Sequence, residues 1–199
     1  MDLQNRENFL NKLAAKMGKA RAIIPEPMDA PVNTYPTERL THLSAVDLAN
    51  EFINSAKTMM VDVNVCRESD AVQTLLALCE KYGGGGGVHY FPEQISAPGV
   101  YAEYGLAETG GIVLFSSADR GRSVSLLPEK SIVVVRKSQV LPRVAQVAKV
   151  LHDKAQQGER MPSCINIISG PSSTADIELI KVIGVHGPVA KIYLVIDDL

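Results

Sequence analysis

Tryptophan is absent from this 199-residue chain, and cysteine occurs three times, at positions 66, 79 and 164. Three thiols cannot build a four-cysteine iron–sulfur site, and no Cys-x-x-Cys pair exists to start one. Scattered cysteines without close pairing suit a reducing compartment. A free cysteine buries like a small hydrophobe, so Cys66, Cys79 and Cys164 read as packing residues. Also missing is any apolar run of the ~20 residues that a membrane span needs. The opening Met1-Asp2-Leu3-Gln4-Asn5 is polar and lacks the basic-then-apolar order of a secretory leader, so a cytoplasmic location is expected. Charge of one sign is lacking too. The 20 Lys and Arg oppose 22 Asp and Glu, a formal net charge of -2, so no global field draws the chain to nucleic acid. A Gly-x-Ser-x-Gly elbow and a His-Glu-x-x-His helix are absent, which argues against a serine hydrolase and a zincin.

What is present is ordinary globular material, 46% hydrophobic, in a chain long enough to bury a core without disulfides. Phe9, Leu10, Leu13, Ala14 and Met17 recur at helical spacing. Four prolines between Pro25 and Pro36 then predict an extended arm. The expected division is therefore an N-terminal helix and arm over 1–40 and an α/β domain over 41–199. In the domain, Ser44 and Asp47 open a helix whose buried stripe is Val46, Ala49, Phe52, Ile53 and Ala56. Met59 to Val65 predicts a strand, and Val72, Leu75, Leu76 and Cys79 a second helix. The five glycines 83–87 fit neither a phosphate loop nor a dinucleotide turn and predict a helix stop with a flexible connection. His89 beyond them reads as structural.

Strands are expected over Val88–Phe91, 99–107, 111–115, 123–127, 131–135, 165–168 and 191–196. Helices are expected around Val140–Leu151 and over Ser173–Ile183. The Ile132–Val135 run is apolar without interruption, as in a strand covered on both faces. The result is an α/β class with a mixed open sheet flanked by helices.

Three segments carry chemistry. In Ser169-Gly170-Pro171-Ser172-Ser173-Thr174-Ala175-Asp176, an expected strand-to-helix junction would aim hydroxyls and unpaired helix amides at a phosphate or carboxylate. The competing reading is a self-contained helix cap. In Gly184-Val185-His186-Gly187-Pro188, a histidine between glycines could titrate near neutrality or simply hold its loop. In Gly105-Leu106-Ala107-Glu108-Thr109-Gly110-Gly111, glycines would let a ligand approach Glu108, with a solvated hairpin acid as the alternative. Arg120 and Arg122 follow and could pair with a carboxylate substrate. Glu108 and His186 are the candidate catalytic groups. Thr109, Gly110, Ser169, Gly170, Ser172, Ser173, Thr174 and Asp176 are the candidate ligand-binding residues.

In this order, these segments and Ser125-Leu126-Leu127-Pro128-Glu129-Lys130-Ser131-Ile132-Val133-Val134-Val135 resemble the LUD domain of lactate-utilisation proteins. The resemblance runs from about Ser44 to the C-terminus. It implies a fold similar to the glucosamine-6-phosphate isomerase, ribose-5-phosphate isomerase and CoA-transferase group. It also implies oxidation of L-lactate to pyruvate beside two iron–sulfur partner proteins. The short length and unclustered cysteines resemble the C-type members of the family, which carry no cluster of their own. The resemblance supplies no secure catalytic residue and no cofactor. By analogy with CoA transferases of the related fold, Glu108 is the acid to test. The alternatives are a stand-alone transferase or isomerase, and a module sensing an organic acid or nucleotide.

Overall fold

A computed structural model describes residues 3–20, 30, 32–82, 101–117, 121, 123–175 and 180–199. The chain divides into two units, Met1–Asn33 and Thr34–Leu199. The first contains α1 (Leu3–Met17), on which Phe9, Leu13 and Met17 are exposed. The second unit starts seven residues before the Thr41 boundary expected from the proline-rich composition.

The second unit opens with a short helical turn, α2 (Tyr35–Glu38), followed by α3 (Ala45–Thr58). Ser44 caps α3 as its sequence predicts, its hydroxyl oxygen accepting the Asp47 N–H at 3.2 Å. Strand β1 (Val61–Arg67) and helix α4 (Ala71–Tyr82) follow. Beyond residue 100 come β2 (Tyr104–Leu106), β3 (Gly111–Phe115), α5 (Ser123–Leu126) and β4 (Lys130–Arg136). The remainder is β5 (Val140–Leu141), α6 (Val144–Gln156), β6 (Ile165–Ile168), β7 (Ser173–Thr174), β8 (Val182–Ile183) and β9 (Ala190–Asp197).

The α/β class and the mixed strand directions hold, with the strands distributed over two main sheets. One is parallel, in the order β1-β9-β4. The other is mixed, in the order β5-β2-β3-β6. A bridge from Tyr101 to Val134 joins the segment before β2 to the parallel sheet. Strands β7 and β8 form a separate antiparallel pair.

Period-2 patterning decides the layers. Val133 and Val135 of β4 and Tyr193 and Val195 of β9 meet Phe52 and Ala56 of α3 and Ile112 and Leu114 of β3. The alternate residues Ile132, Val134, Ile192, Leu194 and Ile196 meet Ala71, Leu75 and Leu78 of α4. On its far side the mixed sheet packs Leu106 and Val113 against Val147 of α6. Covered on both faces, β9 is apolar almost throughout. Cys66 and Cys79 pack beside the α4 layer, where burial pushes both thiols up, in keeping with the packing role.

Several expectations change. Val46 and Val72, expected in the buried stripes of α3 and α4, are exposed, and of the strand expected over 99–107 only Tyr104–Leu106 is β2 among the described residues. Of residues 123–127, Ser123–Leu126 form the turn of α5 rather than a strand, and Pro128 beyond it has no N–H to give a ladder. Val140 belongs to β5, and Pro142 separates it from α6. Strand β1 starts at Val61 because Met60 sits at a positive φ of 61°. At the two ends of the helix expected over Ser173–Ile183, Ser173–Thr174 and Val182–Ile183 pair instead as β7 and β8, and β-branched Val182 and Ile183 suit a strand better than a helix. The predicted Gly83–Gly87 connection, the Val88–Phe91 strand, His89, Arg120, Arg122 and Asp176 lie outside the described residues.

One residue offends the core. Lys191 is 1% exposed, and its ammonium donates to Ser131 Oγ at 2.9 Å across the β9–β4 register. Desolvation brings its pKa down to about 8. The folded pKa therefore lies below the unfolded one, near 10.4. The charged amine costs on the order of 3 kcal/mol at neutral pH, and this penalty fades as pH rises from about 8 toward 10. Burial raises the neighbouring Tyr193 hydroxyl, so its contribution starts to fall only as unfolded tyrosine ionises near pH 10. Lys191→Met is expected to raise the melting temperature by several degrees at pH 7. It should also flatten the rise in stability between pH 8 and 10, both read by thermal denaturation across pH.

Candidate functional site

Several of the residues that look chemical in the sequence converge on the C-terminal end of α3. Thr109 and Gly110 form the turn between β2 and β3, and Gly110 adopts φ +59° against the backbone of Ser55 and Ala56. Gly170, at φ +72°, rests in the same way against the Met59 carbonyl. Any side chain at either position would collide with α3 or the residue after it. Both glycines thus serve close packing of backbone on backbone. The two segments also touch each other. Ser169 Oγ donates to the Thr109 carbonyl at 3.3 Å, and the Gly111 N–H donates to Thr109 Oγ1 at 3.3 Å.

Beneath Gly170 lies the Tyr193 hydroxyl, fully buried and stacked on Phe52 with ring centroids 5.7 Å apart. The Gly170 backbone lies close to it, but no hydrogen bond of good geometry satisfies the oxygen. Tyr193 and Lys191, two residues apart on one face of β9, were not picked out by sequence reasoning. The signal was available, since Lys191 and Tyr193 put polar tips into a strand otherwise apolar.

Ser172 joins a different neighbour. Its N–H donates to the Pro188 carbonyl at 2.9 Å, and its own carbonyl accepts the Gly184 N–H at 2.9 Å. Gly187 lies against the Ser172 side chain, so the 184–188 loop folds onto this serine. His186 stands exposed in that loop. Ser173 and Thr174 pair with Ile183 and Val182. Among the described residues no helix opens here, so the expected cluster of unpaired helix amides does not form at Ser172–Thr174, and the Ser172 N–H is already occupied.

Glu108 faces elsewhere. Its Oε2 accepts from Arg143 Nε at 2.5 Å and its Oε1 pairs with Arg39 Nη1 at 3.1 Å. The carboxylate is 19% exposed and Arg143 18%, so this pair is partly screened from water. Both guanidinium groups lie over the Tyr35 ring, 5.4 and 5.5 Å from its centroid. Arg143 Nη1 also donates to the Tyr35 carbonyl at 3.2 Å, and Gln146 Nε2 to the Thr37 carbonyl at 2.7 Å. Residues 34–39 are thereby strapped to the start of α6 through Glu108. Arg143 and Arg39 carried no motif, because a lone arginine after Pro142 or within a polar stretch looks like a solvated one. Among the described residues, no three His, Cys, Asp or Glu side chains gather closely enough to hold a metal ion.

The LUD domain family model matches residues 100–196, which span Glu108 through β9. The chain is 46% identical to the uncharacterized protein YkgG of Escherichia coli, covering 98% of this chain and all of that protein. It is 35% identical to lactate utilization protein C of Halalkalibacterium halodurans and 33% identical to that of Bacillus subtilis. Each of these two alignments covers 98% of this chain, with 99% and 98% of the respective relative. A crystal structure of a DUF162 family protein from Deinococcus radiodurans shares the fold at a TM-score of 0.52 and 16% identity. That match covers 77% of this chain and 99% of the other.

Removing the Glu108 carboxylate leaves two guanidinium groups packed together without their shared counter-charge. Glu108→Ala is therefore expected to cost roughly 1–3 kcal/mol of stability. It should also speed hydrogen exchange in residues 34–40 while β9 stays protected. Unchanged exchange at 34–40 would refute the strap. Gly110→Ala, forced against α3 at a positive φ, is expected to destabilise by more than about 2 kcal/mol in chemical denaturation.

Proposed function

Because the chain belongs to the LUD-domain family of lactate-utilisation proteins, we propose that it is the C-type component of an assembly that oxidises L-lactate to pyruvate in the cytoplasm. In this reading the redox clusters reside in iron–sulfur partner proteins. Its own three cysteines are too few for a four-thiolate cluster, and they are free, half-buried and distant in sequence. Relatives that align over nearly their whole length and are named for lactate utilisation support this assignment.

The observation that carries the role of an assembly component is an apolar surface around the 184–188 loop. Leu127 is 81% exposed, and Ile180, Val182, Val185 and Val189 are exposed as well. Backbone contacts bring the 187–189 segment onto residues 126–129, next to Leu127. The Val189 N–H donates to the Glu129 carbonyl at 2.8 Å, and Gly187 lies over Leu126. Grouped apolar side chains of this kind mark association surfaces far more often than isolated ones do. His186 stands exposed in the same loop. Ser172, Ser173 and Thr174 border the same surface through their contacts with residues 182–188.

A stand-alone transferase or isomerase would need Glu108 as nucleophile or base, and both of its oxygens are held by arginines. The favoured role for Glu108 is to position the 34–39 strap, with Thr109, Gly110, Ser169 and Gly170 fixing the turn behind it.

The test is purification from the native host followed by activity assays with an artificial electron acceptor. The isolated chain is expected to show no lactate turnover, while the co-purified assembly oxidises lactate. Leu127→Glu and Val185→Glu should release the partners without lowering the melting temperature, because both side chains are already in water. Robust lactate oxidation by the isolated chain would sink the proposal.

A further inference from the structure

Two adjoining cavities lie away from the Glu108 cluster and from the 184–188 surface. One, of about 490 Å³, runs between the end of β3 and the 159–163 loop. The other, of about 420 Å³, continues toward Tyr101 and Gln139. Both are bordered by Glu103, Phe115 and Lys154, so they form one cleft along the β2–β3 hairpin and the end of α6.

The lining is divided by chemistry. Phe115, Met161 and Pro162 supply an apolar wall, with Tyr104 set edge-on to Phe115 at a centroid distance of 6.2 Å. Ser116, Ser117 and Ser163 supply hydroxyls. The Lys154 ammonium is held by Glu159 at 2.7 Å, which keeps it protonated, and the second carboxylate of the lining, Glu103, accepts the Phe115 N–H at 2.8 Å. Arg136, in the second cavity, is committed to Glu68 and Asp198. Arg160 differs. It is exposed in the cleft wall and has no carboxylate within ion-pair reach among the described residues. Its planar fork is suited to a carboxylate or phosphate.

Size separates the ligand classes. A three-carbon acid has six heavy atoms and fills on the order of 100 Å³, judged against the ~30 Å³ share of a water molecule. It would leave most of the larger cavity empty. Clefts of roughly 300–1,000 Å³ suit ligands of some tens of heavy atoms with an apolar body and a few polar anchors. We propose that this cleft binds a nucleotide-sized organic anion, its acid group on Arg160 and Lys154 and its ring on the Phe115 wall. The site is separate from the association surface and asks nothing of lactate.

Isothermal titration of the isolated full chain with AMP, NAD+ and coenzyme A, and with benzoate and lactate as smaller acids, tests this. Binding of one or more nucleotides is expected. Arg160→Ala should weaken it about tenfold and Lys154→Ala less, since Glu159 already offsets that charge. Lys149→Ala, on α6 but outside the cleft, should leave binding unchanged. Arg160 is exposed, so its variant is expected to melt with the wild type. Lack of binding by every nucleotide up to about 5 mM would overturn the proposal. Nucleotide binding insensitive to both Arg160→Ala and Lys154→Ala, or binding of lactate or benzoate alone, would overturn it equally. None of these outcomes depends on whether the chain joins a lactate-oxidising assembly.

Discussion

The rest of the structure depends on the burial of β9 from both sides. One face of this strand closes the layer shared with α3 and the mixed sheet, and the other closes the layer under α4. It also supplies the central ladder of the parallel sheet, paired with β1 and β4 along its whole length. A strand in that position must be apolar on alternate and intervening residues alike, and Ile192 through Ile196 meet the requirement, with Tyr193 contributing a ring. Lys191 and the Tyr193 hydroxyl are the exceptions. Each puts a polar tip where solvation is lost, and each is tolerated because the strand around it is fastened on both sides.

From that strand outward the design is one of close backbone approach. The α3 helix covers Tyr193 with Phe52, and its C-terminal end then receives the 109–110 turn on one side and Gly170 on the other. Two positive-φ glycines from distant parts of the chain meet one helix end. Ser169 ties the two segments to each other. The residues that look most like chemistry in the sequence are therefore divided among three tasks. Thr109, Gly110, Ser169 and Gly170 hold the core together. Glu108 holds the 34–39 strap through Arg143 and Arg39. Ser172 and the 184–188 loop carry a surface whose apolar side chains are left in water.

Much of the layering was legible. The Ser44 cap, the buried Ala49, Phe52 and Ala56 of α3, Leu75 of α4 and the strands β3, β4, β6 and β9 follow from spacing, whereas the buried face of α4 is turned to Ala71, Leu75 and Leu78. The errors have a common cause. Residues 123–127 and 173–183 are short stretches whose periodicity fits either a helix or a strand, and their partners lie far off in sequence. Val182 and Ile183 became strand because residues 173–174 were available to pair with them, and the Ser172–Pro188 and Ser172–Gly184 bonds set that pairing.

By itself the sequence determined the class of fold, the family resemblance, a cysteine count below that of a four-thiolate site and the near-neutral charge. These are sums over composition and local periodicity, and they survive whatever the chain does at long range. Which side chains meet was decided only by the tertiary structure. Glu108 pairs with an arginine 35 residues later in the chain and another 69 residues earlier, and no spacing rule links them. Likewise Gly110 and Gly170 reveal their purpose only against the end of α3. Hydrophobic pattern records which face of an element is buried, whereas ion pairs and backbone contacts depend on the partner that the finished packing brings alongside.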